Sequence, residues 1–351
     1  AVKQAEERLL ASESSKSYLS IEGTSQYREA VQSLLFGSDH PILTKKLAHT
    51  AHTPGGTGAL RVAAEFIKKN LPNSTIWVSN PTWANHQAVF QSVGLEVASY
   101  AYYDAVNKSL DFEAMLASLS QIPEGDVVLF HGCCHNPTGA DLSFDDWKKL
   151  TLMAQKQGFL PFIDIAYQGF GDGMEADVRG FRHLAERVES YLVASSCSKN
   201  FGLYRERTGL AVIVGKTLEQ SNKIKKRLLE CARSTYTMPP DHGAARVDMI
   251  LRDPSHRQTW LNEVETMRHR VQGLREQLAG ALRDKSGNTH FDFIAQHKGM
   301  FSVLGITPEH AQALRQEHAV YLVDSGRINI AGMQETHIDY IAEKLLSVTG
   351  F

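Results

Sequence analysis

No stretch of this 351-residue chain is apolar for long enough to span a bilayer. No excess of one charge stands out either, since 37 Lys and Arg against 39 Asp and Glu leave a net charge of −2. A membrane-spanning helix is therefore not expected, and nucleic acid or an anionic lipid surface has no electrostatic reason to bind. Cysteine is scarce: Cys133, Cys134, Cys197 and Cys231 are all there is, and two are adjacent. They make a poor disulfide framework, which points to a reducing compartment and a cytoplasmic protein. Internal repeats, low-complexity tracts and flexible linkers are also missing, and the opening residues 1–10 read as an amphipathic helix, not a signal peptide. What remains is an ordinary globular composition, 42% hydrophobic and 22% charged, in a chain long enough for one large and one small domain.

From residue 75 onward strand-like and helix-like segments alternate. Strands are expected over 75–79, 96–103, 127–131, 160–165 and 191–195, with helices over 85–93, 112–122, 144–157 and 176–188 between them. This regularity predicts an α/β fold with an open, mainly parallel sheet covered by helices on both faces, joined by another apolar strand over 210–214. Ahead of it, Thr24 caps a helix over 25–36 that Gly37 stops. Beyond it come helices over 218–232 and 244–252, then a long one over 257–283 that crosses between domains. Strands over 291–294, 300–304 and 320–323 with flanking helices complete a smaller α+β domain. The expected division is residues 1–266 for the large domain and 267–351 for the small one.

Ligands of such sheets gather at the carboxyl ends of the strands, and the chemically informative residues fall there, in 80–83, 131–139, 164–169 and 196–207. Lys199 sits in the loop between two buried strands, where partial desolvation depresses an amine pKa and frees it to attack a carbonyl as a Schiff-base former. Ser196, Ser198, Arg205 and Arg207 around it are suited to a phosphate, Arg through its permanently charged planar fork. An amine nucleophile beside a phosphate cradle suggests pyridoxal 5'-phosphate, although a lone Ser-x-x-Lys also fits an exposed lysine in a basic loop. Gly55, Gly56 and Gly58 open a helix that runs to about Asn70, and such a junction closes backbone N–H groups on an anion or simply makes a tight turn. It is neither a Walker loop nor a complete dinucleotide motif. His131, Cys133, Cys134 and His135 crowd four metal-ligand types into five residues, too close to converge on one ion, so no metal is expected.

Four motifs together are more specific than any one of them. His135-Asn136-Pro137-Thr138-Gly139, Asp164-Ile165-Ala166-Tyr167-Gln168-Gly169-Phe170, Ser196-Cys197-Ser198-Lys199-Asn200-Phe201-Gly202-Leu203-Tyr204 and Ser325-Gly326-Arg327 closely resemble the aspartate and aromatic amino acid aminotransferases, fold type I pyridoxal phosphate enzymes. The resemblance runs through the whole chain in order. It implies that the large domain binds the cofactor and that Lys199 carries it as a Schiff base and moves the substrate proton. Asp164 would pair with the pyridinium nitrogen with support from His86, Asn136 and Tyr167 would bond the phenolic oxygen, and Trp83 would stack on the ring. Gly56, Thr57, Ser196 and Arg207 would form the phosphate cradle, and Tyr18 would reach the phosphate of a neighbouring subunit, which implies a homodimer with shared sites. Arg205 has no implied role and reads as surface charge.

The same resemblance implies that Arg327 binds the α-carboxylate of amino acid and 2-oxo acid substrates, and that Arg233 binds the distal carboxylate of a dicarboxylic substrate in the other subunit. The expected reaction is ping-pong transfer of the amino group from aspartate to 2-oxoglutarate. An aromatic or dual-specificity enzyme is the alternative, with Met238 making the pocket wall more apolar. The family carries several dozen residues ahead of the point where this chain begins, and the expectation is that the sequence in hand omits them; a natural truncation would leave an inactive homologue.

Overall fold

The computed structural model describes residues 1–351. Its strands are β1 (Ala48–Pro54), β2 (Thr75–Asn80), β3 (Glu96–Ala101), β4 (Tyr103–Asp104), β5 (Ser109–Leu110), β6 (Val127–His131), β7 (Leu160–Ile165), β8 (Tyr191–Ser196), β9 (Thr208–Val214), β10 (Phe301–Val303) and β11 (Arg327–Asn329). Seven of them form one sheet in the order β1-β9-β8-β7-β6-β2-β3. Strands β3, β2, β6, β7 and β8 run parallel, and β9 runs against both β8 and β1. All residues of β8 and β9 are buried, as continuous apolar runs covered on both faces require.

Two cores flank the sheet. On one face, Ile76, Leu129, Phe162, Leu192, Ala194 and Ala211 pack under helix Gly55–Asn70 through Leu60, Ala63 and Ile67. On the other, Phe130, Ile163, Val193, Leu210 and Val212 meet Tyr27, Trp147, Phe181 and Trp260. A third core draws only on residues 271–345, with Leu274, Leu278 and Leu282 of helix Pro254–Ser286 against Leu314, Ile328, Ile330 and Leu345. No helix is long and apolar enough to cross a membrane.

Several expectations need correction. Strand β1 was not anticipated because its buried residues include Thr50, His52 and Thr53, with no apolar run. The strand expected over 291–294 is instead a turn leading into the short helix Phe293–Gln296. Phe291, Phe293 and Ile294 are all buried, and adjacent buried residues suit a helical turn better than a pleated strand. Residues 320–323 form no ladder, because the Leu322 carbonyl accepts from Arg315 Nη1 and Val320 N–H donates to Leu314 O. The expected strand over 300–304 is β10, paired antiparallel with the unforeseen β11. The long helix gains a turn at its start, where Pro254 opens it and the Asp253 carboxylate accepts from the N–H groups of Ser255 and His256.

Candidate active site

The carboxyl ends of β6, β7 and β8 and the start of β9 share one edge of the sheet, because β9 is reversed. A cavity of about 300 Å³ opens there, lined by Gly56, Thr57, Trp83, Asn136, Asp164, Tyr167, Ser196, Lys199, Arg207 and Arg327 among others. Residues far apart in the chain are thus collected at one place by topology. The helix Gly55–Asn70 points its start at this cavity, and its N-cap, Pro54, offers no side-chain hydrogen bond. The first N–H groups of a 16-residue helix are therefore open to an anion.

Close approach explains the glycines there. A Cβ on Gly56 would lie 2.9 Å from Ser196 Cβ, and one on Gly209 would lie 2.4 Å from the Gly55 carbonyl carbon. Gly55 itself has φ +73°, and its Cβ would meet Arg207 Nη2 at 2.5 Å. Bare backbone, a serine hydroxyl and a guanidinium thus converge in a space that side chains would fill, which suits a phosphate.

Lys199 stands 4.6 Å above the centre of the Tyr167 ring. Burial lowers its pKa; Asp164 opposes that shift and Arg207 adds to it. A lysine with a lowered pKa has more of its amine free to attack a carbonyl. Burial pushes the Asp164 carboxyl up, yet the hydrogen bond with His86 and the nearby His86, His131 and Lys199 outweigh it and hold the group below the usual carboxylate range. His86 Nε2 lies 3.0 Å from Asp164 Oδ2, and Nδ1 lies 2.8 Å from Thr82 Oγ1. Burial, with Asp164 adding to it, raises the Tyr167 phenol, so its hydroxyl stays protonated and able to donate.

At the far wall Arg327 Nη1 donates to Asn136 Oδ1 at 3.1 Å, and its guanidinium lies 4.5 Å over the Phe301 ring. Phe301 was not foreseen; nothing in its local sequence marks it, and only the pairing of β10 with β11 brings it to Arg327. Its loop is held by another unforeseen residue, Arg275. That buried guanidinium donates to the carbonyls of Ile294, Lys298, Gly299 and Phe301 and to Ser302 Oγ. Burial lowers its pKa only to about 10, so it stays charged. Lys298 N–H in turn donates to Gly139 O at 2.7 Å, which ties the Phe301 loop to the loop of Asn136.

The crowded His131–His135 stretch has its own uses. The two imidazoles stack at 4.2 Å; His131 Nδ1 accepts from Asn136 N–H, and the His135 nitrogens meet Ser79 and Thr138 hydroxyls. Burial, with His86 adding to it, lowers the His131 pKa to about 3. Donor atoms of Cys133, Cys134 and Asp177 do lie within 4.8 Å of one another. However, the Asp177 carboxylate already accepts from the N–H groups of Gly169, Gly171 and Asp172. The hydrogen bond with Cys134 favours the Cys133 thiolate, but burial and nearby carboxylates push that thiol up to about 11.

Two anticipated residues are absent from the cavity of their own chain. Tyr18 is 91% exposed, and Arg233 lies exposed near the end of helix Leu218–Thr235. Next to Tyr18, Leu19 N lies 2.9 Å from Met238 Sδ, just past the end of that helix. Arg205 is exposed.

An amine of lowered pKa, an anion cradle and a carboxylate held ionised across one cavity define an enzyme built for a phosphate-bearing carbonyl cofactor, and pyridoxal 5'-phosphate fits that donor set. Comparison with known proteins agrees. The model of the family "Aminotransferase class I and II" matches residues 1–345. The chain is 46% identical over 347 residues to an aspartate aminotransferase of Salmonella typhi, covering 99% of this chain and 88% of that one. It is 43% identical over 348 residues to an aromatic-amino-acid aminotransferase of Paracoccus denitrificans, with the same coverage. An aromatic-amino-acid aminotransferase from Burkholderia pseudomallei, solved covalently bound to pyridoxal phosphate, superposes with a TM-score of 0.96 at 36% identity, covering 99% of this chain and 87% of that one. The chain belongs to the class I and II aminotransferases and is a pyridoxal phosphate-dependent transaminase.

Proposed function

We propose that this transaminase moves the amino group of L-aspartate to 2-oxoglutarate in two half-reactions, releasing oxaloacetate and then L-glutamate. The observation that carries this reading is the convergence of Lys199, Asp164, Arg327 and the open helix start on one cavity, together with the exposed Arg233. When bound, pyridoxal phosphate supplies an electron sink for the bond broken at the substrate α-carbon. Lys199 Nζ would hold the cofactor and, as a free amine, would take and return the α-proton. Asp164, fixed by His86, would pair with the ring nitrogen and keep it protonated. Asn136 and Tyr167 would donate to the ring oxygen, and Trp83 would stack on the ring. Gly56, Thr57, Ser196 and Arg207 would hold the phosphate. Arg327, kept in place by Asn136 and Phe301, receives the α-carboxylate as a bidentate fork.

In this reading the protein is a cytoplasmic homodimer divided at residues 266 and 267, and each protomer lends Tyr18 and Arg233 to its partner's site. Its four cysteines are free and buried, in keeping with a reducing compartment. Dual specificity for aromatic amino acids is the second reading. It is favoured by the apolar Met238, which packs against Leu19 next to Tyr18.

The test is steady-state turnover with 2-oxoglutarate as acceptor and aspartate or phenylalanine as donor, on the native protein and on Arg233→Leu. A strong native preference for aspartate that collapses in Arg233→Leu, while phenylalanine turnover holds, supports the first reading. Comparable native turnover of both donors supports the second. Equal losses for both donors in the variant remove Arg233 from substrate recognition.

A further inference from the structure

The loop carrying Lys199 is gripped by two successive helices. On its first half, Trp260 Nε1 donates to Asn200 O at 2.7 Å and the indole stacks on Phe201 at 4.3 Å. The second half is held by helix Asp241–Arg252. Gly243 of that helix presses against it so closely that a Cβ would lie 2.0 Å from Thr208 Oγ1 and 2.7 Å from Glu206 Cβ. One turn further on, the Arg246 guanidinium lies 2.8 Å from Glu206 Oε1, with Glu6 at 3.6 Å on its other side. The Arg246 side chain is only 5% exposed, against 31% for Glu206. A guanidinium so buried needs a carboxylate partner, and here that partner is the residue just before Arg207.

Arg207 has φ +53°, a left-handed conformation that a side-chain-bearing residue keeps only when its surroundings impose it. That conformation brings its guanidinium to the Gly55–Gly56 end of the helix, with Nη1 bonded to Tyr204 O at 2.9 Å. Arg246 does not line the cavity. We infer that Arg246 is a positioning residue for cofactor binding: by clamping Glu206 to helix Asp241–Arg252 it keeps Arg207 in the backbone state that aims its guanidinium at the phosphate. This rests on the role proposed above for Arg207.

The inference separates phosphate recognition from fold integrity, and a pair of ligands reads the difference. Apoenzyme of the native protein, Arg246→Met, Glu206→Gln, the double variant and Arg207→Ala is titrated with pyridoxal 5'-phosphate and with pyridoxal, following quenching of tryptophan fluorescence. Arg246→Met and Glu206→Gln should each raise the Kd for pyridoxal phosphate about tenfold, the double variant no more than the worse single one, and Arg207→Ala more than either. The Kd for pyridoxal, which has no phosphate, should change in none of them. Because Glu206 is part-exposed, Glu206→Gln tests the clamp even where Arg246→Met folds poorly. Equal weakening of both ligands in Glu206→Gln would make the pair merely structural and overturn the inference. So would an unchanged Kd for pyridoxal phosphate in Glu206→Gln while Arg207→Ala weakens it. No effect in Arg207→Ala would overturn the cradle reading itself, and the inference with it.

Discussion

His86 Nε2 faces Asp164 Oδ2 at 3.0 Å near the end of β7, and Thr82 Oγ1 lies 2.8 Å from the other ring nitrogen. An ionised carboxylate only accepts, so Nε2 carries the proton and the imidazole acts as a donor fixed from behind. Replacing His86 by Leu removes the main influence that holds Asp164 below its usual range. The acid limb of the kcat/KM profile should then move to higher pH. A profile that stays in place would mean that Asp164 is held ionised without His86.

Lys199→Ala should fold normally by circular dichroism and lose turnover by at least about 10²–10⁴-fold, the range of a positioned proton-transfer group. Added methylamine, which restores an amine but not its tether, should recover a small part of the rate. Substantial activity without an added amine would sink the mechanism.

Arg327→Lys keeps the charge but loses the planar fork, the bond to Asn136 and the stacking on Phe301. Aspartate kcat/KM should fall about 10–100-fold, the worth of one charge-assisted hydrogen bond of about 1.5–3 kcal/mol. Cofactor affinity should not change. A matching loss of cofactor affinity would place Arg327 on the wrong ligand.

Gly139 has φ +76°, and a Cβ there would lie 2.6 Å from Phe301 O and 3.0 Å from Lys298 O. Gly139→Ala should therefore cost about 1–3 kcal/mol in urea unfolding and raise KM for aspartate, since the loops of Asn136 and Phe301 are forced apart. Native stability in this variant would mean that the two loops part freely.

His52 is fully buried with both ring nitrogens unpartnered, and burial lowers its pKa to about 3. The unfolded chain takes up this proton near pH 6.5 while the folded chain refuses it until about pH 3. The stability His52 supports is thus complete above pH 6.5 and is lost as the pH falls toward 3, by up to about 1.4 kcal/mol per pH unit. Urea unfolding between pH 7 and 5 should show a shallower acid loss for His52→Gln than for the native protein. Identical slopes would show that His52 is protonated in the fold or does not govern the acid loss.

The sheet was legible where strands are apolar on both faces, since β7, β8 and β9 bury almost every residue and helices separate their parallel neighbours. It was illegible where burial is polar. In β1, Thr50, His52 and Thr53 are hidden by neighbours that periodicity does not register. The small-domain strands failed for another reason: Ile294 and Leu322 look strand-like, but their carbonyls are taken by Arg275 and Arg315. The cavity residues could be named in advance because four motifs lie at strand ends. Residues that steady them from elsewhere, Phe301, Arg275 and Arg246, carry no local signature, because their partners are distant in the chain or are backbone carbonyls.

The reversal of β9 has an architectural outcome. A parallel successor to β8 would have to be reached by a crossover of a dozen or more residues, and its first residue would emerge at the opposite edge of the sheet. Because β9 turns straight back, residues 196–209 leave and re-enter at one rim, carrying the nucleophilic amine, a hydroxyl and a guanidinium on a single uninterrupted span. The amine and the guanidinium half of the anion grip are consequently set by one loop, while the backbone half comes separately from the start of helix Gly55–Asn70.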